Sequence, residues 1–410
     1  MGQVLRQEEY SEQINYLDIL HSDSKGWITK AEINCGYKQW HYRYNELLEQ
    51  DFNQENVYIS INTFYSTFRR LEYIKELKAQ FIDLDIYKTG FTKEQIIMHL
   101  EADYFNKSIP RPNLIIDSGR GLYLIWLLNS VPSKALPLWK AIEEYLYSVL
   151  KPFGADRQAL DPTRILRVPG SINSKSKTTV KVIEQYDYIY DLREIQNEYL
   201  PELEERKAKK KGRPSKTVFI HRERSLYYAR IQDIIKLCEL REYDLKGHRE
   251  LILFLYRYYL CYFLEDTQKA LGDVLELNRE FIYPLSETEV IRATRSAEKV
   301  YLSKNKDYKY KNETLIELLL ITELEETYMT TIISNKESKR RRSIRDEKRY
   351  KEKLKLDGKV SEKEKLSQRR AKIKDLLAEG LKRKDICLQL DISIKTYKRD
   401  ISFLKEQGLM

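Results

Sequence analysis

The segment FIDLDI, residues 81–86, constrains this chain strongly because it combines a buried-strand pattern with two carboxylates. Side chains two positions apart on a strand project from the same face, so Asp83 and Asp85 would enter one space. Adjacent anions repel unless a positive charge compensates them. A common compensator is Mg²⁺, which binds one or two carboxylates together with substrate phosphates. The alternative interpretation is a strand that ends at a turn, where one aspartate caps the next element.

A second segment, IIDSGRGLYLIWLL at residues 115–128, has apolar, β-rich runs on both sides of a glycine-containing turn. This pattern predicts a strand, a tight turn and a second strand. Gly119 and Gly121 permit backbone conformations in which N–H groups approach an anion. Arg120 adds a guanidinium suited to phosphate. Together with Ser118 they form a candidate anion-binding turn, although an ordinary hairpin has the same pattern.

A third segment, residues 153–177, interleaves acidic and basic side chains. Its charged candidates are Asp156, Asp161, Arg164, Arg167 and Lys175. Such carboxylates suit a metal ion and such cations suit phosphate. A surface loop with a salt-bridged helical turn is the alternative.

In this order, the three segments resemble the motifs of archaeo-eukaryotic-type primases, the primase–polymerase superfamily, and especially its members on plasmids and other mobile elements. The first family motif supplies two metal-binding aspartates, which matches Asp83 and Asp85. The second is a Ser-Gly turn followed by a basic residue, which matches Ser118, Gly119 and Arg120. The third is another metal-binding aspartate, followed by Arg-x-Pro-Gly-Ser and a lysine. It matches Asp156, Arg167, Pro169, Gly170, Ser171 and Lys175.

The resemblance covers residues 56–187 and departs from the family at one position. The family histidine that helps to hold the nucleotide triphosphate corresponds to Tyr123, which forms hydrogen bonds but carries no positive charge. Spacing favours Asp156 as the third metal ligand, and Asp161 is the alternative. The resemblance implies Mg²⁺ or Mn²⁺ as cofactor, nucleoside triphosphates as substrates and single-stranded DNA as template.

The implied reaction is two-metal nucleotidyl transfer, in which the metal ions activate a 3′-hydroxyl and neutralise the leaving pyrophosphate. The implied phosphate contacts come from Arg120, Arg164, Arg167 and Lys175. The nucleotide-binding set also includes Ser118, Gly119, Gly121 and Tyr123.

Charge is distributed unevenly along the 410 residues, whose net charge is +10. Residues 335–410 contain 25 Lys and Arg against 13 Asp and Glu, a net charge of +12, so the preceding residues carry −2. A localised basic block is typical of a protein that binds a polyanion. A solvated charged helix without a ligand is the alternative.

Cysteine spacing and hydropathy exclude several classes of protein. The four cysteines are far apart and match neither a zinc site nor a disulfide framework. The most apolar stretch, residues 251–264, is too short to span a membrane and contains Arg257. Without a signal-peptide pattern, these features predict a cytoplasmic protein with no membrane association.

The patterns predict an α+β catalytic domain with a mixed or antiparallel sheet, followed by an all-α module and a C-terminal helix-turn-helix. The predicted divisions are a catalytic domain at 1–200, a basic linker at 201–217, a helical module at 218–325, a charged helical or partly disordered segment at 326–370 and a DNA-binding domain at 371–410. The helical module resembles the one that follows the catalytic domain in plasmid primases. Within the first domain, a helix is predicted over residues 70–77.

The last forty residues contain apolar stripes that predict three short helices. Ile394 and Tyr397 begin the apolar face of the last helix. Its outer face would then present Lys395, Thr396, Lys398 and Arg399. This pattern favours a helix-turn-helix that places its last helix in the major groove of double-stranded origin DNA. A generic three-helix interaction module is the alternative.

The resemblance implies a template-dependent primase or primase–polymerase that replicates a plasmid or other mobile element. Because no G-x-x-x-x-G-K-[ST] motif is present, we expect a separate replicative helicase as partner. The first alternative is a non-catalytic replication initiator or regulator that uses only the helix-turn-helix. The second, a nicking relaxase, would need a His-x-His pair, which the five histidines do not provide.

Overall fold

The structure, a computed structural model, describes residues 2–200, 216–303, 308, 310–357 and 362–408. No helix in this part of the chain is both long enough and apolar enough to cross a membrane.

Residue contacts divide the chain into two compact units, Met1–Ile332 and Ile333–Met410. The predicted catalytic domain and the predicted helical module both fall within the first unit. Residues 201–215, which make up most of the predicted linker, lie outside the described residues.

The described strands all lie in the first unit and pair in three sheets. They are β1 (Ile28–Asn34), β2 (Gly36–Tyr42), β3 (Val57–Ser60), β4 (Thr63–Phe64), β5 (Ile74–Leu84), β6 (Leu114–Asp117), β7 (Leu122–Pro132), β8 (Ile165–Arg167), β9 (Ile172–Asn173), β10 (Thr178–Thr179) and β11 (Lys181–Gln185). One sheet has the order β2-β1-β3-β8, a second has the order β11-β6-β7-β5-β4, and β9 pairs with β10. These strand pairs are antiparallel. The predicted α+β fold is therefore confirmed, with the antiparallel version of the sheet.

Helices occur in both units. Those of the first unit are α1 (Gly2–His21), α2 (Tyr44–Leu48), α3 (Lys93–Asp103), α4 (Leu136–Leu150), α5 (Leu192–Tyr199), α6 (Lys216–Leu240), α7 (Arg249–Leu264), α8 (Thr267–Glu280), α9 (Glu287–Ser303), α10 (Asn312–Leu319) and α11 (Glu323–Tyr328). Those of the second unit are α12 (Asn335–Leu356), α13 (Glu362–Ala378), α14 (Arg383–Gln389) and α15 (Ile394–Glu406). Helices α6–α11 form the predicted all-α module.

Strand β5 lies between β7 and β4 and is buried along most of its length. Helix α4 covers it, and the indole nitrogen of Trp139 donates a hydrogen bond to the Ala79 carbonyl at 2.9 Å. The helix predicted over residues 70–77 is wrong, because the chain forms a short 3₁₀ turn at Leu71–Tyr73 and then enters β5. Pairing with β7 and burial beneath α4 outweigh the local helical pattern.

The helical module packs directly against the catalytic sheets through a buried charged cluster. Arg70 is fully buried, and its guanidinium lies 3.0 Å from Glu72 and 2.5 Å from Glu280 of α8. The Tyr256 hydroxyl of α7 donates to the Glu72 carboxylate at 2.9 Å. Removing one partner would leave an uncompensated charge in the interior, so the cluster links the module to the start of β5.

The second unit contains a three-helix core. Its buried residues are Ile373, Ile386, Tyr397 and Leu404, contributed by α13, α14 and α15. Ser393 caps α15 by accepting a hydrogen bond from the Thr396 N–H at 3.1 Å. Ile394 does not belong to the apolar face as predicted, since it is 48% exposed. It occupies the first turn of α15, and the core begins one turn later, at Tyr397.

Candidate active site

The three candidate aspartates are brought together by backbone pairing. The Asp85 N–H donates to the Gly154 carbonyl, and the Asp156 N–H donates to the Asp83 carbonyl, each at 2.8 Å. These bonds flank an antiparallel bridge between Leu84 and Ala155. Opposed residues on paired strands share a face, as do residues two apart. Asp83 and Asp156, which are directly opposed, therefore share a face, and Asp85 follows at the end of β5, just before a 3₁₀ turn.

Asp83 is an anion in an unfavourable environment. Burial raises the pKa of its carboxyl to about 7, and the charges of Asp85 and Asp156 act in the same direction. Arg164 and Arg167 lower the pKa but do not compensate fully. A further positive charge would stabilise the ionised form.

The other two carboxylates are engaged elsewhere. Asp85 forms an ion pair with Lys88, and Asp156 accepts a hydrogen bond from the Gln158 N–H at 3.1 Å. Across the described residues, no three His, Cys, Asp or Glu side chains are arranged as a set of metal ligands. The hard oxygen donors and the uncompensated charge at Asp83 nevertheless suit Mg²⁺ or Mn²⁺. Ligation by all three aspartates would require rotation of Asp85 and Asp156.

Asp161, the alternative third ligand, lies in a different environment. Its carboxylate accepts hydrogen bonds from both the N–H and the hydroxyl of Thr163, at 2.8 and 2.9 Å. Burial opposes its ionisation, but Lys269, the Thr163 N–H and Arg69 hold its pKa below the usual range. Asp161 is therefore already compensated, whereas Asp83 is not.

The glycine turn connects β6 to β7 as predicted. The Ser118 N–H donates to the Gly121 carbonyl at 3.0 Å and closes the turn. Gly119 has φ of 99°, which favours glycine, and its N–H donates to the Asp117 carboxylate at 2.7 Å. Because this N–H is already bonded, it is not a free phosphate donor.

Replacing Gly121 by alanine should destabilise the protein by about 3 kcal/mol, because the turn packs tightly against the end of β5. A Cβ at this position would lie 2.1 Å from the Leu84 carbonyl oxygen, between the two aspartates of the first motif. Gly90→Ala is the control, because a Cβ there meets nothing within 4 Å. Urea unfolding followed by tryptophan fluorescence measures both. Equal midpoints for Gly121→Ala and wild type would contradict the close packing.

Tyr123, at the family histidine position, lies opposite Asp83 on β7. Its hydroxyl is 3.5 Å from Nη1 of Arg167. Burial, followed by the charge of Asp83, raises the pKa of the phenol, so it remains protonated. The Arg167 guanidinium also lies 4.9 Å from the ring of Tyr58. Two aromatic side chains thus orient Arg167, whose Nε has no hydrogen-bond partner among the described residues.

Arg120 and Lys175 lie at the periphery. Both are exposed, and the Arg120 guanidinium lies 4.0 Å from the ring of Tyr87. Lys175 follows Asn173, whose side-chain amide donates to the Ser118 carbonyl at 2.6 Å. The third segment therefore contacts the glycine turn through Asn173.

A cleft of about 380 Å³ opens beside Asp83. Its lining includes the predicted residues Asp83, Tyr123, Asp161, Arg164 and Arg167. It also includes Tyr58, Arg69 and Lys269, which the sequence analysis missed. Alternation on β3 was the available signal for Tyr58. None existed for Lys269, which reaches the cleft from α8.

In the second unit, the predicted DNA-binding residues lie on the outer side of α15. Lys395, Lys398 and Arg399 are exposed, and Thr396 is half-buried. Behind them, the buried Asp400 carboxylate pairs with Arg369 at 2.8 Å, which ties α15 to α13.

Comparisons with known proteins identify a relative over nearly the whole chain. A replication protein of Clostridium perfringens is 67% identical over 397 residues, which span 97% of this chain and 98% of that protein. No family model matches the chain.

Two solved structures are similar to parts of the chain. The AEP domain of the cyanophage S-2L primase–polymerase covers 46% of this chain and 97% of its own, with 16% identity and a TM-score of 0.35. Primase RepB′ covers 72% of this chain and 98% of its own, with 10% identity and a TM-score of 0.33. Identity of two thirds over nearly the full length is decisive, and the chain belongs to the family of the Clostridium perfringens replication protein.

Proposed function

We propose that this protein is a template-dependent primase or primase–polymerase that replicates a plasmid or other mobile element. The observation that carries the proposal is the backbone bridge that brings Asp156 beside Asp83 and Asp85. Arg164 and Arg167 add positive charge near Asp83 and lower its pKa. The relative named as a replication protein supports the biological setting.

The aspartates would hold Mg²⁺ or Mn²⁺ after Asp85 leaves Lys88. Bound there, the metal would lower the pKa of a 3′-hydroxyl and neutralise the leaving pyrophosphate. The Arg167 guanidinium, which lines the cleft, would contact a phosphate of the incoming nucleoside triphosphate. Tyr123 would hold the guanidinium in place through its protonated hydroxyl. Arg120 and Lys175 would contact phosphates farther from the reacting centre.

The test is primer synthesis by the full chain on single-stranded DNA with Mg²⁺ or Mn²⁺ and both ribo- and deoxyribonucleoside triphosphates. Template-dependent product is expected. The absence of product with either metal would contradict the proposal. A separate helicase remains the expected partner for unwinding but is not needed in this assay.

One observation favours a second function, that of a non-catalytic replication initiator or regulator. No set of three metal ligands is formed among the described residues, and Asp85 is paired with Lys88. An initiator would bind origin DNA and make no primer. Tight DNA binding without synthesis would therefore select this function.

For the C-terminal unit we propose binding of double-stranded origin DNA through α15. Lys398→Ala/Arg399→Ala should weaken binding by about tenfold or more at low salt and reduce its salt dependence, because phosphate contacts release counterions. Electrophoretic mobility shifts at several salt concentrations measure this. Lys336→Ala/Lys339→Ala is a charge-matched control on α12. Equal weakening by both variants would indicate general charge attraction instead of a specific surface.

A further inference from the structure

The hairpin β1–β2 extends the wall of the candidate active site. Arg167 of β8 pairs with Tyr58 of β3, Tyr58 pairs with Ala31 of β1, and Ala31 pairs with Gln39 of β2. Directly opposed residues in a sheet project from the same face. One face of the sheet therefore runs from Arg167 to the edge strand β2.

Two apolar side chains occupy this face near the hairpin tip. Ile33 and Tyr37 are a cross-strand pair, and they are 42% and 48% exposed. Ile33 also lines the cleft together with Asp83. An aliphatic and an aromatic side chain thus lie exposed beside a strongly polar cleft.

The Tyr37 ring is held in place although it is half exposed. Its hydroxyl donates to Oε1 of Gln39 at 2.7 Å and accepts from Nη2 of Arg69 at 3.0 Å. Arg69 is itself fixed, because its Nη1 donates to the Thr163 carbonyl at 2.5 Å. An immobilised aromatic ring loses little conformational entropy when a second ring stacks on it. The neighbouring guanidinium supplies positive charge.

We propose that Ile33 and Tyr37 form a stacking platform for an unpaired nucleobase of the single-stranded template. An exposed aromatic beside cationic groups is the combination that binds single strands without sequence preference. Its continuity with the cleft that contains Asp83 would place the stacked base next to the site of nucleotide addition. This inference rests on the proposed function, since it assigns the template strand to that same cleft.

The experiment uses the full chain and a short single-stranded oligonucleotide that contains 5-iodo-2′-deoxyuridine. Ultraviolet crosslinking followed by peptide mass spectrometry should place the crosslink at Tyr37. Tyr37→Ala should lose this crosslink and raise the KM for template about tenfold, the loss of one stacked base, with kcat little changed. Tyr37→Phe, which keeps the ring, should retain the crosslink.

Trp40→Ala is the matched control. Trp40 lies on the same strand, is 38% exposed and is paired with Lys30 on the opposite face. It should leave both the crosslink and the KM unchanged. A crosslink that maps away from the hairpin, or equal effects of Tyr37→Ala and Trp40→Ala, would overturn the platform.

The two proposals fail separately in this design. If wild type makes no primer but crosslinks at Tyr37, the platform stands and the catalytic proposal fails. If wild type makes primer and Tyr37→Ala matches it in template KM, the catalytic proposal stands and the platform fails.

Discussion

Asp83→Asn should reduce primer synthesis by roughly a thousandfold or more, because the loss of a metal-binding charge removes several kcal/mol of transition-state stabilisation. Asp83 lies opposite both Tyr123 and Asp156 and is the one of the three candidate aspartates that lines the cleft. Single-turnover extension of a labelled primer measures the rate. Asp103→Asn, on an exposed position at the end of α3, is the matched control and should retain full activity.

The same variant should be more stable than wild type, which separates lost chemistry from lost folding. In the wild-type protein, the pKa of the Asp83 carboxyl is raised to about 7 in the folded state, against about 3.9 in an unfolded chain. Ionised Asp83 therefore destabilises the fold progressively as pH rises from about 4 to 7, and asparagine removes this cost. With a chelator present, the free energy of unfolding in urea should be higher for Asp83→Asn than for wild type, by a few kcal/mol at pH 8 and by less at pH 5. If Asp83→Asn is less stable than wild type at pH 8, its lost activity reflects misfolding.

The local parts of this site could be predicted from the sequence. Alternation and apolarity place Asp83 on a strand, and two glycines place a turn between β6 and β7. The outer face of α15 also followed from helical periodicity, except at its first residue. Each of these features depends on neighbours within a few positions, which a single sequence contains.

The remaining features depend on contacts between distant segments. Spacing favoured Asp156 over Asp161 without excluding the latter, whereas the bridge between Leu84 and Ala155 places Asp156 opposite Asp83. Residues 70–77 have a local helical pattern, but their contacts with β7 and with α7 and α8 come from distant parts of the chain. Lys269 enters the cleft because α8 packs beside it, and no motif encodes that packing.

This packing leads to the largest expected effect on stability. Arg70→Met should destabilise the first unit by about 3–5 kcal/mol, because it leaves the buried Glu72 and the partly buried Glu280 without their cation. The guanidinium lies within ion-pair distance of both carboxylates, yet its N–H groups form no hydrogen bond of good geometry among the described residues. The stabilisation is therefore mainly charge compensation, which methionine cannot supply although it fills similar space. Equilibrium urea unfolding measures the loss.

Lys236→Met is the control, because it breaks the Lys236–Glu239 ion pair on α6, where both side chains are 42% exposed. A pair so exposed contributes less than about 1 kcal/mol. Adding Glu72→Gln to Arg70→Met should restore part of the loss, since it removes one of the stranded charges. If Arg70→Met costs no more than Lys236→Met, the buried cluster does not hold the helical module on the sheet. If the predicted loss is found, the module that contributes Lys269 to the cleft is fixed in place by charges buried at the start of β5, the strand that carries Asp83.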